Sequence, residues 1–147
     1  MKTARKNRQM ILKIRNLLFN LGLATLSTHE LDAVTQSEWH LLYILNNLPE
    51  DIAASTFVVA HVPLFAIIFL LAFNENPNIK EWTRIIFSAF LIIHAGLHKA
   101  LENHPLYTFK SPMSQALIFG AGLLGLMYLI STYVNHKPKL KFFVNIL

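Results

Sequence analysis

The chain predicts an all-α fold, a four-helix bundle embedded in a membrane. Three observations carry that reading. Of the 147 residues, 54% are apolar, and the mean hydropathy is positive at +0.43. Asp, Glu, Lys and Arg make up only 14%, against about 25% in soluble domains. The apolar residues are gathered into four long runs separated by polar or proline-containing breaks, each near the ~20 residues a bilayer-spanning helix needs.

Taken in order, residues 1–15 form a basic segment with Lys2, Arg5, Lys6, Arg8, Lys13 and Arg15 and no acid. A basic start before an apolar run also suits a signal peptide, but Thr25-Leu26-Ser27 is a poor cleavage site. A first span is the better reading, starting between Ile11 and residue 16 and ending at Val34. Trp39 and Tyr43 follow in a stretch free of Lys and Arg, a composition that suits a membrane interface. Residues 52–73 give the clearest second span, with Pro63 inside it as a source of a kink or a freed carbonyl. Asn74-Glu75-Asn76-Pro77-Asn78 reads as a turn. Residues 83–101 and 113–134 form the third and fourth spans, and the two prolines between them make residues 102–112 a loop. Residues 135–147 are a basic tail with Lys137, Lys139 and Lys141.

The distribution of cations sets the expected orientation. With both termini inside, inner segments hold eleven of the thirteen Lys and Arg residues, and outer loops hold only Lys99 and Lys110. Basic residues favour the cytoplasmic side, so the expectation is an N-in, C-in protein of the inner (cytoplasmic) membrane. The net charge of +5 is then a topology signal, and no nucleic-acid partner is expected. Without cysteine, thiolate chemistry and Cys-ligated zinc are excluded.

Ionisable residues inside spans are costly and commonly mark function. Thr28-His29-Glu30-Leu31-Asp32-Ala33 closes the first run, His61 lies in the second, and His94 and His98 lie in the third. At 1.5 Å per helical residue, all of them fall in the outer half of the bundle. His94 and His98, four apart, share a helix face, as paired metal ligands do. His29 and Asp32, three apart, share another, and Glu38 is placed to cap the cluster from the outer surface. His29, Asp32, His61, His94 and His98 are therefore the candidate ligands of a divalent metal. Imidazole with carboxylate suits zinc, and also non-haem iron, with zinc favoured here. Glu30 points to a different side of its helix and is the candidate general base. The ordinary reading of each residue alone is an interhelical hydrogen bond; convergence is what raises the functional one.

The strings THELDAV…EW, HVPL and HAGLH…HP resemble a family of small bacterial membrane proteins of unknown function. The resemblance spans most of residues 17–130. A looser similarity links the chain to HXXEE-domain membrane proteins, although Glu30 and Asp32 depart from a literal His-x-x-Glu-Glu. The resemblance implies a four-helix membrane protein and no assigned activity. The site suggests a metal-dependent enzyme acting on a membrane lipid or small amphiphile. The alternatives are a metal- or proton-responsive subunit without catalysis, and a purely structural bundle. Ala116/Gly120 and Ala121/Gly125 on the fourth helix, small residues four apart, offer a face for homo-oligomer formation.

Overall fold

The computed structural model describes residues 2–136 and is all-helical among them. The Lys137, Lys139 and Lys141 tail, counted above as an inner segment, lies outside the described residues. Four helices make the bundle: α1 (Lys2–Thr35), α2 (Glu50–Ala72), α3 (Pro77–Leu101) and α4 (Pro112–His136). Two short 3-10 turns, Glu38–Leu41 and Leu45–Asn47, join α1 to α2. Among the described residues, three helices are long and apolar enough to cross a membrane: α2, α3 and α4. The first helix is the most polar of the four because it carries both the basic segment and the THELDA stretch.

α1 starts well before the expected first span. Residues 2–15 contain no Gly or Pro, so nothing interrupts the helix. At 34 residues α1 is about 50 Å long, longer than the ~30 Å of a hydrocarbon core. At its other end Ser37 adopts a left-handed conformation, with φ 54° and ψ 47°. A left-handed residue just past a helix ends it and turns the chain back. Here that reversal returns Glu38 and Trp39 to the bundle interior. Trp39, expected at an interface, is buried and donates from Nε1 to Glu50 Oε1 at 3.1 Å. Tyr43 and Trp82 do lie on the surface, 85% and 65% exposed.

α4 packs along α1 and α3, while α2 leans mainly on α3 and buries only Ala53, Phe57 and Ala72. The α3 start is well specified: the Asn76 side chain accepts from the backbone N–H groups of Asn78 and Ile79, and Pro77 takes the first helical position. Close approach of α3 and α4 depends on glycine. A Cβ on Gly125 would stand 2.5 Å from the Ser88 carbonyl oxygen, and one on Gly122 would stand 2.8 Å from Ala95 Cβ. Ala121 and Gly125 are thus used inside the chain. Of the small residues proposed for self-association, Ala116 and Gly120 are the pair left facing outward.

Two apolar cores occupy opposite ends of the bundle. One is built on Phe19, which meets Phe73, Phe87 and Tyr128 with ring centroids 5.5–6.1 Å apart. Arg15 and Arg84, counted above among the inner-segment cations, are buried here. Arg15 pairs with Glu81 of α3 and bonds Tyr128 of α4. Arg84 donates to the Ala72 carbonyl at 3.0 Å and to Asn16 Oδ1 at 2.7 Å. It thereby satisfies a terminal carbonyl of α2 that has no partner within its own helix. These bonds tie all four helices at one end. The second core holds Trp39, Phe57, Tyr107, Phe109 and Ile118, and the histidines lie beside it.

Candidate metal centre

Three helix positions and one loop position meet at a point. His29 of α1, His94 and His98 of α3, and Glu38 after the Ser37 reversal each present one donor atom, all within 4.8 Å of one another. The ring centroids of the three histidines stand 4.6–5.0 Å apart. Helical geometry explains the α3 pair, since residues four apart stack on one face. The tight α3–α4 contact fixes the rotation of α3, and α4 in turn packs on α1, which brings His29 opposite.

The spacing suits a cation. A tetrahedral zinc with arms of about 2.0–2.1 Å has donor atoms about 3.3–3.4 Å apart. Glu38 Oε2 lies 3.6 Å from His29 Nε2, and Glu38 Oε1 lies 3.6 Å from His98 Nε2. These separations are too long for hydrogen bonds; with Oε2 as the ligand atom, its 3.6 Å to His29 Nε2 is close to one edge of a coordination tetrahedron. His29 Nε2, His94 Nε2 and Glu38 Oε2 are all buried without a hydrogen-bond partner. A buried unsatisfied polar atom costs about 1–3 kcal/mol, so three of them aimed at one point call for a common partner. A divalent cation satisfies them together.

Glu38 sits outside the spanning helices and titrates in a defined direction. Burial pushes its carboxyl up, but His98, His29 and His94 outweigh that and hold it below its ordinary value of 4.5. A depressed carboxyl stabilises the fold above its unfolded pKa, and that contribution is lost as pH falls through the folded value. Metal-free protein should therefore lose thermal stability below about pH 4.5. Glu38→Gln should flatten that acid limb in a melting series across pH. An unchanged acid limb in Glu38→Gln would show that the histidines do not hold this carboxylate.

A lid covers the centre. Phe109, fully buried, puts its ring 4.8 Å from His98 and 5.5 Å from His29, and Tyr107 lies 5.9 Å from His98. Their loop is pinned by Thr108 Oγ1 donating to the Gln36 carbonyl at 2.8 Å, and by Gln115 donating to the Phe109 carbonyl. Tyr107 is part of this cover. Its phenol is pushed up, chiefly by burial.

The remaining candidate residues lie around the centre. His61 is not among the four converging donors, because both its ring nitrogens are engaged elsewhere. Nδ1 donates to the Phe57 carbonyl at 2.7 Å, and Nε2 faces Glu30 Oε2 at 2.8 Å. Glu30 is thereby held as the partner of His61, within electrostatic range of Glu38 and His98. Asp32 is buried; its Oδ1 accepts from Thr35 and Gln36, and its Oδ2 has no partner. It lies within electrostatic range of His29 but outside the four-donor group. His40 pairs with Glu50 at 2.7 Å, and Glu102, on the same stripe as His94 and His98, pairs with Lys99.

Fold and site together define a small helical protein with three membrane-length helices and a buried His/Glu cluster under an aromatic lid. A family model matches residues 15–135, and the chain belongs to that family of unknown function, DUF6713. No curated protein and no solved structure matches it.

Proposed function

We propose that this is a multi-pass inner-membrane protein, with both termini in the cytoplasm, that uses a divalent metal to hydrolyse a lipid or small amphiphile. The observation that carries the reading is the convergence of three buried imidazoles and one carboxylate with unpaired donor atoms. His29, His94 and His98 would hold the metal, with Glu38 as the fourth ligand. Zinc is favoured over iron because neutral imidazoles with a carboxylate form a usual four-coordinate zinc set. When bound, zinc would polarise a carbonyl and lower the pKa of a water.

The protein's own groups supply the rest. Glu38, in the short 3-10 turn after Ser37 and not on a spanning helix, would be the ligand most readily displaced to open a position. Catalytic zinc sites need such an opening. Asp32, buried and within electrostatic range of His29, adds negative charge beside the ligand set. Glu30 and His61 share a proton across the 2.8 Å contact. Nδ1 of His61 must donate to a carbonyl, so the shared proton lies between Nε2 and Oε2. The pair can accept or return a proton next to the centre, which is the work assigned to Glu30 as general base.

Zinc-loaded protein in liposomes should hydrolyse 4-nitrophenyl esters of medium-chain acids. Chelation should remove the activity, zinc should restore it, and Glu30→Gln should lower it about 100-fold or more with zinc retained. Activity indifferent to chelation would overturn the metal-dependent reading. A second reading, a metal-responsive subunit without catalysis, is favoured by one feature: four protein donors can close a zinc site completely. One bound zinc with no turnover of any ester would favour that reading.

A further inference from the structure

A cleft of about 330 Å³ lies between α1, α2 and α3, within the range of small-molecule sites. Residues 64–71 of α2 form one wall and residues 83–90 of α3 the other. The wall residues recur every three or four positions, so they form two stripes about 10 Å long. The lining is apolar except for Thr83 and Glu30, and Glu30 stands at the end of the cleft nearest the metal centre. Ile67 and Ile86, 57% and 64% exposed, flank a mouth that opens sideways along the helices. In a membrane that side meets lipid.

We propose that this cleft takes the alkyl chain of a single-chain amphiphile whose head offers an N–H or O–H donor to Glu30. An apolar slot with one carboxylate at its end suits such a molecule. An alkyl chain covers Leu26, Leu64, Leu71 and Phe90, and a donor head meets an acceptor. Glu30 Oε2 is held by His61, and Oε1 takes part in no hydrogen bond among the described residues, which leaves it for the head. An anionic head would meet the Glu30 carboxylate directly at the end of the slot, so fatty acids and alkyl phosphates are disfavoured. The head then lies next to the His29/His94/His98 cluster. Any chemistry performed on it rests on the metal reading above, whereas the binding of the chain does not.

Native mass spectrometry of the full chain, released from non-ionic detergent with and without added zinc, tests this with dodecylamine and dodecanoate as probes. Dodecylamine should be retained at one per chain, and dodecanoate at least tenfold more weakly. Glu30→Gln should weaken dodecylamine retention about tenfold or more, and Ile86→Trp, which fills the mouth, should abolish it. If Ile86→Trp loses its helical circular dichroism, Ile67→Trp on the opposite wall should give the same loss of binding. Equal retention of both probes, or retention unchanged in Glu30→Gln and in the folded tryptophan variant, would overturn the proposal. Retention of dodecylamine by protein that binds no zinc would support the cleft while the metal reading fails. Absence of retention in both forms would overturn the cleft, whatever the zinc content.

Discussion

Replacing His94 or His98 by alanine is expected to leave the purified protein unable to retain zinc. Structural zinc sites bind with about 10–16 kcal/mol overall, or about 3 kcal/mol per ligand for four ligands. One lost ligand then weakens binding about a hundredfold or more. His29→Ala should match them, because its Nε2 is buried and points at the same centre. His61→Ala should keep the metal, since both its ring nitrogens are committed to Phe57 and Glu30. Asp32→Asn should keep one zinc per chain and weaken it, because a negative charge within electrostatic range of His29 is removed. His104→Ala, in an exposed loop, serves as the control that should change nothing. Metal content measured after dialysis reads all six. Zinc retained in full by His94→Ala and His98→Ala would remove α3 from the site.

The second large effect is expected at Gly125. The Cβ of Gly125→Ala would stand 2.5 Å from the Ser88 carbonyl oxygen, and a backbone atom cannot rotate away. Overpacking of this kind costs about 1–3 kcal/mol, and the damage should reach the metal centre. Forcing α4 off α3 near Ser88 and Leu91 displaces the helix that carries His94 and His98. Gly125→Val should therefore lower both the melting temperature in detergent and the zinc content. Gly120→Ala is the matched contrast, because nothing lies within 4 Å of its added Cβ. It should be neutral or stabilising by up to about 1 kcal/mol, the helix propensity difference. Equal melting temperatures for the two alanine variants would contradict the α3–α4 packing described here.

Much of the fold could be read from the chain because apolar run length and proline placement are local signals. The helices are separated between Ala72 and Pro77 and between Leu101 and Pro112, with Pro77, Asn78 and Pro112 of the expected breaks already helical. The start of α1 was less legible, since hydropathy fades through residues 2–15 while nothing there breaks a helix. For the site, sequence gave depth but not direction. At 1.5 Å per residue, His29, His61, His94 and His98 all fall at similar heights, but helix rotation depends on packing. α2 buries only three residues and leans away, so His61 reaches Glu30 and goes no further. Glu38 could be placed near the cluster, but its inclusion among the donors depends on a left-handed Ser37, and serine carries no strong signal for that conformation. The Tyr107/Phe109 lid was missed because aromatic residues in a loop between spans also suit a membrane interface. Arg15 and Arg84 counted as loop cations for topology, yet both are buried in hydrogen-bonded contacts.

The central claim is that His29, Glu38, His94 and His98 surround one divalent cation. X-ray absorption at the zinc edge, on wild-type protein loaded with one equivalent, tests it most directly. The predicted first shell holds three imidazole nitrogens and one carboxylate oxygen at about 2.0–2.1 Å. A shell of oxygen scatterers without imidazole, or protein that takes up no stoichiometric zinc, would contradict the account and leave the histidines as interhelical packing residues.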